Sequence, residues 1–235
     1  NLPKLITGEW SGTMNLTEPH AGSDLSTLKT KAEKNNSNKY LIKGTKIYIT
    51  HGDQDMSDNI IHLVLAKIPN SPPGVKGISL FLVPKYYNND QGKLIKNDIK
   101  VLSIEHKLGH NASPTCVLSF GENGGALGEL IGEPNFGLKA MFTMMNNARL
   151  NVGVQGIAIA ERAYQKALSF AKERKQGKSI STKEASIEII NHPDVKRMLM
   201  EMRSQIEAMR GLIITTGNFI DKYKNFPNSS EGKES

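Results

Sequence analysis

Residues 12–24 read Gly12-Thr-Met-Asn-Leu-Thr-Glu-Pro-His-Ala-Gly-Ser-Asp24. Pro19 has no N–H for a ladder, so a short strand is expected to end at Thr17. Gly22, Ser23 and Asp24 then form a compact turn with free backbone N–H groups and a hydroxyl, a concavity suited to a pyrophosphate. Some twenty residues on comes Gly44-Thr-Lys-Ile-Tyr-Ile-Thr50. Strand alternation predicts Ile47 and Ile49 on one face, Tyr48 and Thr50 on the other. An aromatic plate beside a hydroxyl suits a flat heterocycle with polar edges. Taken singly, the first segment is also an ordinary capped turn and the second a strand with one wet face.

Other chemistries find no support in the residue pattern. The chain has no G-x-G-x-x-G, no G-x-x-x-x-G-K, no G-x-S-x-G and no H-E-x-x-H. His106 and His110 would share a helical face as metal ligands, but Gly109 and Asn111-Ala-Ser-Pro114 oppose a helix, and no metal site is expected. Cys116 is the single cysteine, which excludes an internal disulfide and favours a reducing compartment: the cytoplasm of a bacterial cell, or its equivalent. The net charge of +7 comes from lysines spread along the chain, not from a basic tract with interleaved aromatics, so nucleic-acid binding is not expected. No apolar run approaches the ~20 residues of a membrane helix. The opening residues lack the basic-then-apolar pattern of a signal peptide, and the three Asn-x-Ser/Thr triplets, at Asn15, Asn111 and Asn228, are read as chance.

Elements of two kinds must position these residues. Up to about residue 133, short β-type runs alternate with turn signals. The runs include Tyr40-Leu-Ile42, Lys46-Ile-Tyr-Ile-Thr50, Ile60-Ile-His-Leu-Val-Leu65, Ile78-Ser-Leu-Phe-Leu-Val83 and Thr115-Cys-Val-Leu-Ser-Phe120. Asn-rich or Gly-rich stretches at 35–38, 88–90 and 121–125 separate them, as in an antiparallel barrel or sandwich. From Gly137 the period changes. Ile157, Ala160, Tyr164, Leu168 and Ala171 predict a helix from about Gly137 to Gln176 that stops at Gly177, with Gly153 and Gly156 weakening it or allowing close packing. A second helix is predicted from Pro193, with an apolar stripe at Val195, Met198, Met202, Ile206, Met209, Ile213, Thr216 and Ile220. Two helices cannot close a bundle core, so that stripe calls for further helices. The polar tail 227–235 is expected to fray.

Together the two segments are far more specific than either alone. Thr17-Glu-Pro-x-Ala-Gly-Ser-Asp24 followed by Gly44-x-Lys-x-Tyr-Ile-Thr50 resembles the acyl-CoA dehydrogenase family. The resemblance continues through Arg149 and Glu173-Arg-Lys-Gln-Gly177. Finer features are similar to the branch that includes methylmercaptopropionyl-CoA dehydrogenases, among them His51-Gly-Asp-Gln-Asp55, Ser103-Ile-Glu-His-Lys107 and Phe142-Thr-Met-Met-Asn146. It implies an α+β multidomain chain: an antiparallel β-barrel over 1–133 that binds FAD and acyl-CoA, then part of an α-helical bundle over 134–235. By resemblance, the Leu16 backbone and the Thr17 hydroxyl bond the isoalloxazine, and Ser23 lies by the pyrophosphate and the entering acyl-CoA. Tyr48 stands where the family usually has tryptophan, and Ile49 and Thr50 lie along the flavin edge. Asn146, Asn147 and Arg149 match the substrate channel. Arg174 and Gln176 match a segment that reaches the FAD of a neighbouring subunit, and His192 another cofactor contact, after a longer loop than usual.

The reaction the resemblance implies is α,β-dehydrogenation of an acyl-CoA thioester. A carboxylate takes the α proton and FAD takes the β hydride. Most members place that carboxylate far down the C-terminal domain, beyond the residues present here. Others place it just before the arginine matching Arg149, where this chain has Ala148. Glu18 belongs to the cofactor motif. The expectation is therefore a fragment or shortened form without its base and without the family's N-terminal helical domain. The family also implies homodimers or homotetramers and an electron-transfer flavoprotein or similar acceptor. A catalytically inactive remnant and a DNA-binding relative of the same superfamily are the alternatives.

Overall fold

The computed structural model describes residues 2–35, 37, 39–89, 91–183 and 185–230. They divide into two compact units, one up to Met144 and one from Met145. Of the expected turns and tail, Asn36, Asn38, Asp90 and residues 231–235 lie outside the described residues.

In the first unit a short helix, α1 (Leu2–Thr7), leads into β1 (Trp10–Asn15). The other main strands are β2 (Lys31–Lys34), β3 (Tyr40–Thr50), β4 (Asn59–Lys67) and β5 (Ile78–Pro84). A small hairpin, β6 (Tyr86–Asn88) and β7 (Leu94–Lys96), precedes β8 (Ile99–Ile104), β9 (Thr115–Phe120) and β10 (Ala126–Ile131). The expected runs are all present, the first two fused into the single strand β3. Antiparallel pairings link β2 to β3, β3 to β10, β10 to β5 and β5 to β4. One parallel pair, Lys31 with Lys67, joins β2 to β4 and closes the ring.

The barrel is thus closed, as expected, but it is not purely antiparallel. β1 lies parallel to β4 along its whole length, from Trp10 opposite Asn59 to Asn15 opposite Val64. Between these two strands the chain passes through β2 and β3, and that long crossover is what a parallel pairing requires. β4 is flanked on both sides and buried almost throughout, which accounts for its unbroken apolar run. β1 ends at Asn15 rather than Thr17, because Glu18 and Ala21 exchange backbone hydrogen bonds around Pro19 and His20.

Ile42, Ile49, Val64, Phe81, Val83, Leu118 and Phe120 fill the barrel, with the Tyr40 ring tilted against Phe81 at 5.0 Å. His62 is buried among them. Its Nδ1 lies 2.7 Å from Thr13 Oγ1 and its ring meets Phe120 edge-on at 5.8 Å. Burial pushes the imidazole down from 6.5 to about 3, so it is neutral in the fold.

Helix α2 (Gly137–Glu173) begins in the first unit. There a Cβ on Gly137 would lie 2.2 Å from Ser79 C, so only glycine fits against β5. The helix stops three residues short of the predicted Gln176. From Arg174 onward the backbone pairs across a hairpin instead: Gln176 N–H donates to Ile187 O, and Ile189 N–H to Arg174 O. Gly177 does adopt a positive φ, +77°, but as part of that hairpin.

In the second unit α3 (Pro193–Asn225) starts at the predicted proline. Of the α2 stripe, Ala171 is buried and Ile157, Ala160, Tyr164 and Leu168 are half-buried, and Gly153 allows Ile213 of α3 to approach within 3.3 Å of where a Cβ would stand. In α3, Ile206 is buried as expected, but Met198 and Met209 are exposed and Leu199 takes an inner place. Ile159, Leu212 and Ile214 are also exposed apolar positions. No helix among the described residues is long and apolar enough to cross a membrane.

Candidate cofactor site

The turn after β1 and the end of β3 are held together by main-chain and side-chain bonds. Ile47 N–H donates to Thr17 O at 2.9 Å, and Lys46 Nζ donates to Leu16 O at 3.0 Å. A Cβ on Gly22 would meet Thr17 Cγ2 at 3.7 Å, which brings the Gly-Ser-Asp turn against the same place.

Simple alternation fails here. Between Lys46 and Ile49, β3 advances three residues while β9 advances two, from Leu118 to Cys116. This is a β-bulge, with Tyr48 in the left-handed region at φ +60°. Ile47 and Ile49 therefore do not share a face as the sequence pattern predicted. Lys46 and Ile49 point inward, at 0% and 1% exposure, while Tyr48 is 61% exposed. Ile49 can meet a ligand only through its backbone, because its side chain belongs to the core. The left-handed Tyr48 backbone costs about 1 kcal/mol in a non-glycine residue, and the strain holds an aromatic ring out from the barrel.

Around Tyr48 the polar groups are free. Among the described residues, none bonds the hydroxyls of Thr17, Ser23 or Thr50, or accepts from the N–H groups of Leu16, Gly22 or Ser23. Asp24 instead accepts from the N–H and hydroxyl of Ser26, which hold its carboxyl below the usual range. The arrangement offers a ring to stack on, two threonine hydroxyls at its edge, and a nearby turn of donors for an anion. These features fit a dinucleotide with a planar heterocycle.

The residues beneath were not singled out from the sequence. Glu18 is buried, and its carboxylate accepts from Lys29 N–H at 2.7 Å, Thr30 N–H at 3.0 Å, the Thr30 hydroxyl at 2.5 Å and Lys46 Nζ at 2.9 Å. Burial raises this carboxyl, but the Lys46 charge and the hydrogen bonds from Thr30 and Lys29 outweigh it and set it below the usual range. Burial lowers Lys46 from 10.5 to about 8, against the pull of Glu18. Gly44 belongs to the same cluster, since a Cβ there would stand 2.4 Å from Thr30 Oγ1. A signal did exist: Ile42, Gly44 and Lys46 alternate onto the inner face before the bulge, and a lysine there demands an acid.

In the second unit, Arg174, Gln176 and His192 come together. Arg174 Nη2 donates to Gln176 Oε1 at 3.3 Å, and His192 Nε2 lies 2.7 Å from Gln176 O. The His192 ring stands where a Cβ on Gly177 would be 3.2 Å away. Arg149 Nη1 donates to Asn146 Oδ1 at 3.1 Å, one turn apart on α2, while Asn147 lies off that face. All three are exposed. His106 and His110 sit in a loop, not on a helix, and His110 has φ +52°.

The chain is thus a closed barrel carrying an open aromatic face beside a turn of unpaired donors, followed by long helices. The sequence models of the acyl-CoA dehydrogenase middle domain and C-terminal domain match residues 13–122 and 135–231, and the chain belongs to the acyl-CoA dehydrogenase family. It is 50% identical to the 3-methylmercaptopropionyl-CoA dehydrogenase of Ruegeria pomeroyi, over 99% of this chain and 39% of that protein. It is 43% identical to a butyryl-CoA dehydrogenase of Syntrophomonas wolfei, over 98% of this chain and 39% of that protein. Among solved structures, butyryl-CoA dehydrogenase from Megasphaera elsdenii superposes with a TM-score of 0.67 at 27% identity, over 87% of this chain and 48% of that one. The chain spans about two fifths of the length of the curated relatives named here.

Proposed function

We propose that this chain is the FAD- and thioester-gripping portion of an enzyme that dehydrogenates acyl-CoA between the α and β carbons. The observation that carries the reading is the bonding of segment 16–18 to the β3 bulge, which leaves Thr17, Tyr48 and Thr50 together and open. When bound, the flavin supplies a hydride acceptor. The chain's own residues orient it: Tyr48 covers one face of the ring, the Leu16 N–H and the Thr17 and Thr50 hydroxyls bond its edge, and the turn at Ser23 takes the pyrophosphate. Asn146, Asn147 and Arg149 contribute to the acyl-CoA channel. Arg174, Gln176 and His192 form a second contact, directed to the flavin of a neighbouring copy in a homodimer or homotetramer. Residues 1–133 form the cofactor-binding domain and 134–235 part of the helical domain. An electron-transfer flavoprotein or similar acceptor takes the electrons, in a reducing compartment such as the bacterial cytoplasm.

Proton abstraction is not assigned to these residues. Glu18 has its oxygens filled by four donors and sits below the usual carboxylate range. Ala148 cannot accept a proton. The reading is cofactor binding without turnover by this chain alone.

Visible spectroscopy of the purified protein titrated with FAD tests it. Protein-bound flavin bands should appear, and Thr17→Ala with Thr50→Ala should weaken binding by about 10-fold, from two hydrogen bonds of roughly 0.5–1.5 kcal/mol each. Anaerobic addition of butyryl-CoA should leave the flavin oxidised. Absence of any flavin binding at excess FAD would overturn the reading.

A further inference from the structure

Lys46 is a buried cation on the inner face of β3, two residues before Tyr48, and its hydrogen bonds go to Leu16 and Glu18 rather than to the side chains of Thr17, Tyr48 or Thr50. Its Nζ bridges two atoms of the turn after β1: Leu16 O at 3.0 Å and Glu18 Oε1 at 2.9 Å. The residue between those two anchors is Thr17, whose carbonyl is held by Ile47 N–H. Three consecutive residues of the turn are therefore tied to two consecutive residues of β3. Glu18 is in turn fixed from behind by Lys29 and Thr30, and Gly44 lets Thr30 approach.

We propose that Lys46 is a positioning residue, which, through Leu16 O and the Glu18 carboxylate, sets the Leu16 N–H and the Thr17 hydroxyl at the height of the Tyr48 ring. This rests on the reading of that face as the flavin site. Without the bridge, Glu18 stays tied to Lys29 and Thr30, but among the described residues the hydrogen bond left between Leu16–Glu18 and β3 is the one from Ile47. A buried ion pair replaced on both sides by neutral groups of similar size often leaves stability little changed, whereas removing one partner strands the other. Stability and flavin affinity should therefore separate. The groups facing Lys46 Nζ are Glu18 and, behind it, His20, whose Nε2 is 3.4 Å from Glu18 Oε2.

The test uses the whole chain, the single variant Lys46→Met and the double variant Glu18→Gln with Lys46→Met. Thermal unfolding of the apoprotein and FAD titration by flavin fluorescence are measured for each. The single variant should melt well below wild type. The double variant should recover part of that loss, since a glutamine amide cannot accept from both Lys29 N–H and Thr30 N–H as the carboxylate does, yet bind FAD at least tenfold more weakly than wild type. A double variant that binds within twofold of wild type overturns the proposal. Wild-type affinity is also measured from pH 7 to pH 9, which needs no variant to fold. Burial lowers Lys46 to about 8 against the pull of Glu18, so the charge that holds the turn is lost as pH rises and affinity should fall toward pH 9. A flat profile across a range in which NMR shows Lys46 Nζ losing its proton likewise overturns it. If the wild type binds no FAD at any pH, the flavin reading itself fails, and that result is distinct from both.

Discussion

His62 should make this barrel acid-sensitive in a pH range where its carboxylates do not. The ring is 1% exposed, has Thr13 Oγ1 as its hydrogen-bond partner, and titrates at about 3 against 6.5 when unfolded. A histidine with a depressed folded pKa binds its proton only on unfolding. Its contribution is therefore full above pH 6.5 and is lost as pH falls toward 3. Between pH 7.5 and 5 the unfolded state gains about 2 kcal/mol from this one proton, at roughly 1.4 kcal/mol per pH unit below 6.5. Asp53 opposes the shift and Lys85 reinforces it, but burial dominates. For a chain of this length, 2 kcal/mol corresponds to about 4–8 °C in Tm. Calorimetry of the wild type and of His62→Gln, which keeps a partner for Thr13 but does not titrate, measures the difference between their pH slopes. Parallel slopes from pH 7.5 to 5, or an NMR titration of His62 above pH 5.5, would refute the argument.

Gly44→Ala should lower apoprotein stability by about 1–3 kcal/mol in urea denaturation, because its Cβ would stand 2.4 Å from Thr30 Oγ1 and 2.9 Å from Thr30 Cα. Tyr48→Gly should raise apoprotein stability by up to about 1 kcal/mol by relieving the left-handed backbone, while weakening FAD binding; a loss of both would contradict the bulge assignment. On α2, Gly156→Ala meets open space and should gain about 0.5–1 kcal/mol from helix propensity. Gly153→Leu should destabilise, since Ile213 already lies 3.3 Å from the first added carbon, and circular dichroism melts separate the two.

What could be read from the sequence was what obeys a period. The main strands and the start of α3 at Pro193 follow from alternation, helical spacing and a proline that fits the first turn. What could not be read is where a non-local bond overrides a local preference. Tyr48 leaves the strand pattern because β3 and β9 pair out of step. Residues 174–176 leave the helix because Ile187 and Ile189 offer better partners. The parallel pairing of β1 with β4 has no sequence signature at all, since a strand in either direction alternates alike. Of the site residues, Arg174, Gln176 and His192 meet as a hairpin closes. Lys46 was legible in principle, as a charge on an apolar face.

Strand β10 enters the sheet between β5 and β3, two strands that lie far before it in the chain. Until residue 131 has left the ribosome, both of those neighbours keep a bare edge, and the ring has no closed intermediate on the way. Edges of this kind recruit other chains, and pairings across long stretches of sequence form slowly. During synthesis these two edges are therefore the last of the ring to be covered. A stop codon before Ala126 should yield aggregated protein rather than a smaller barrel.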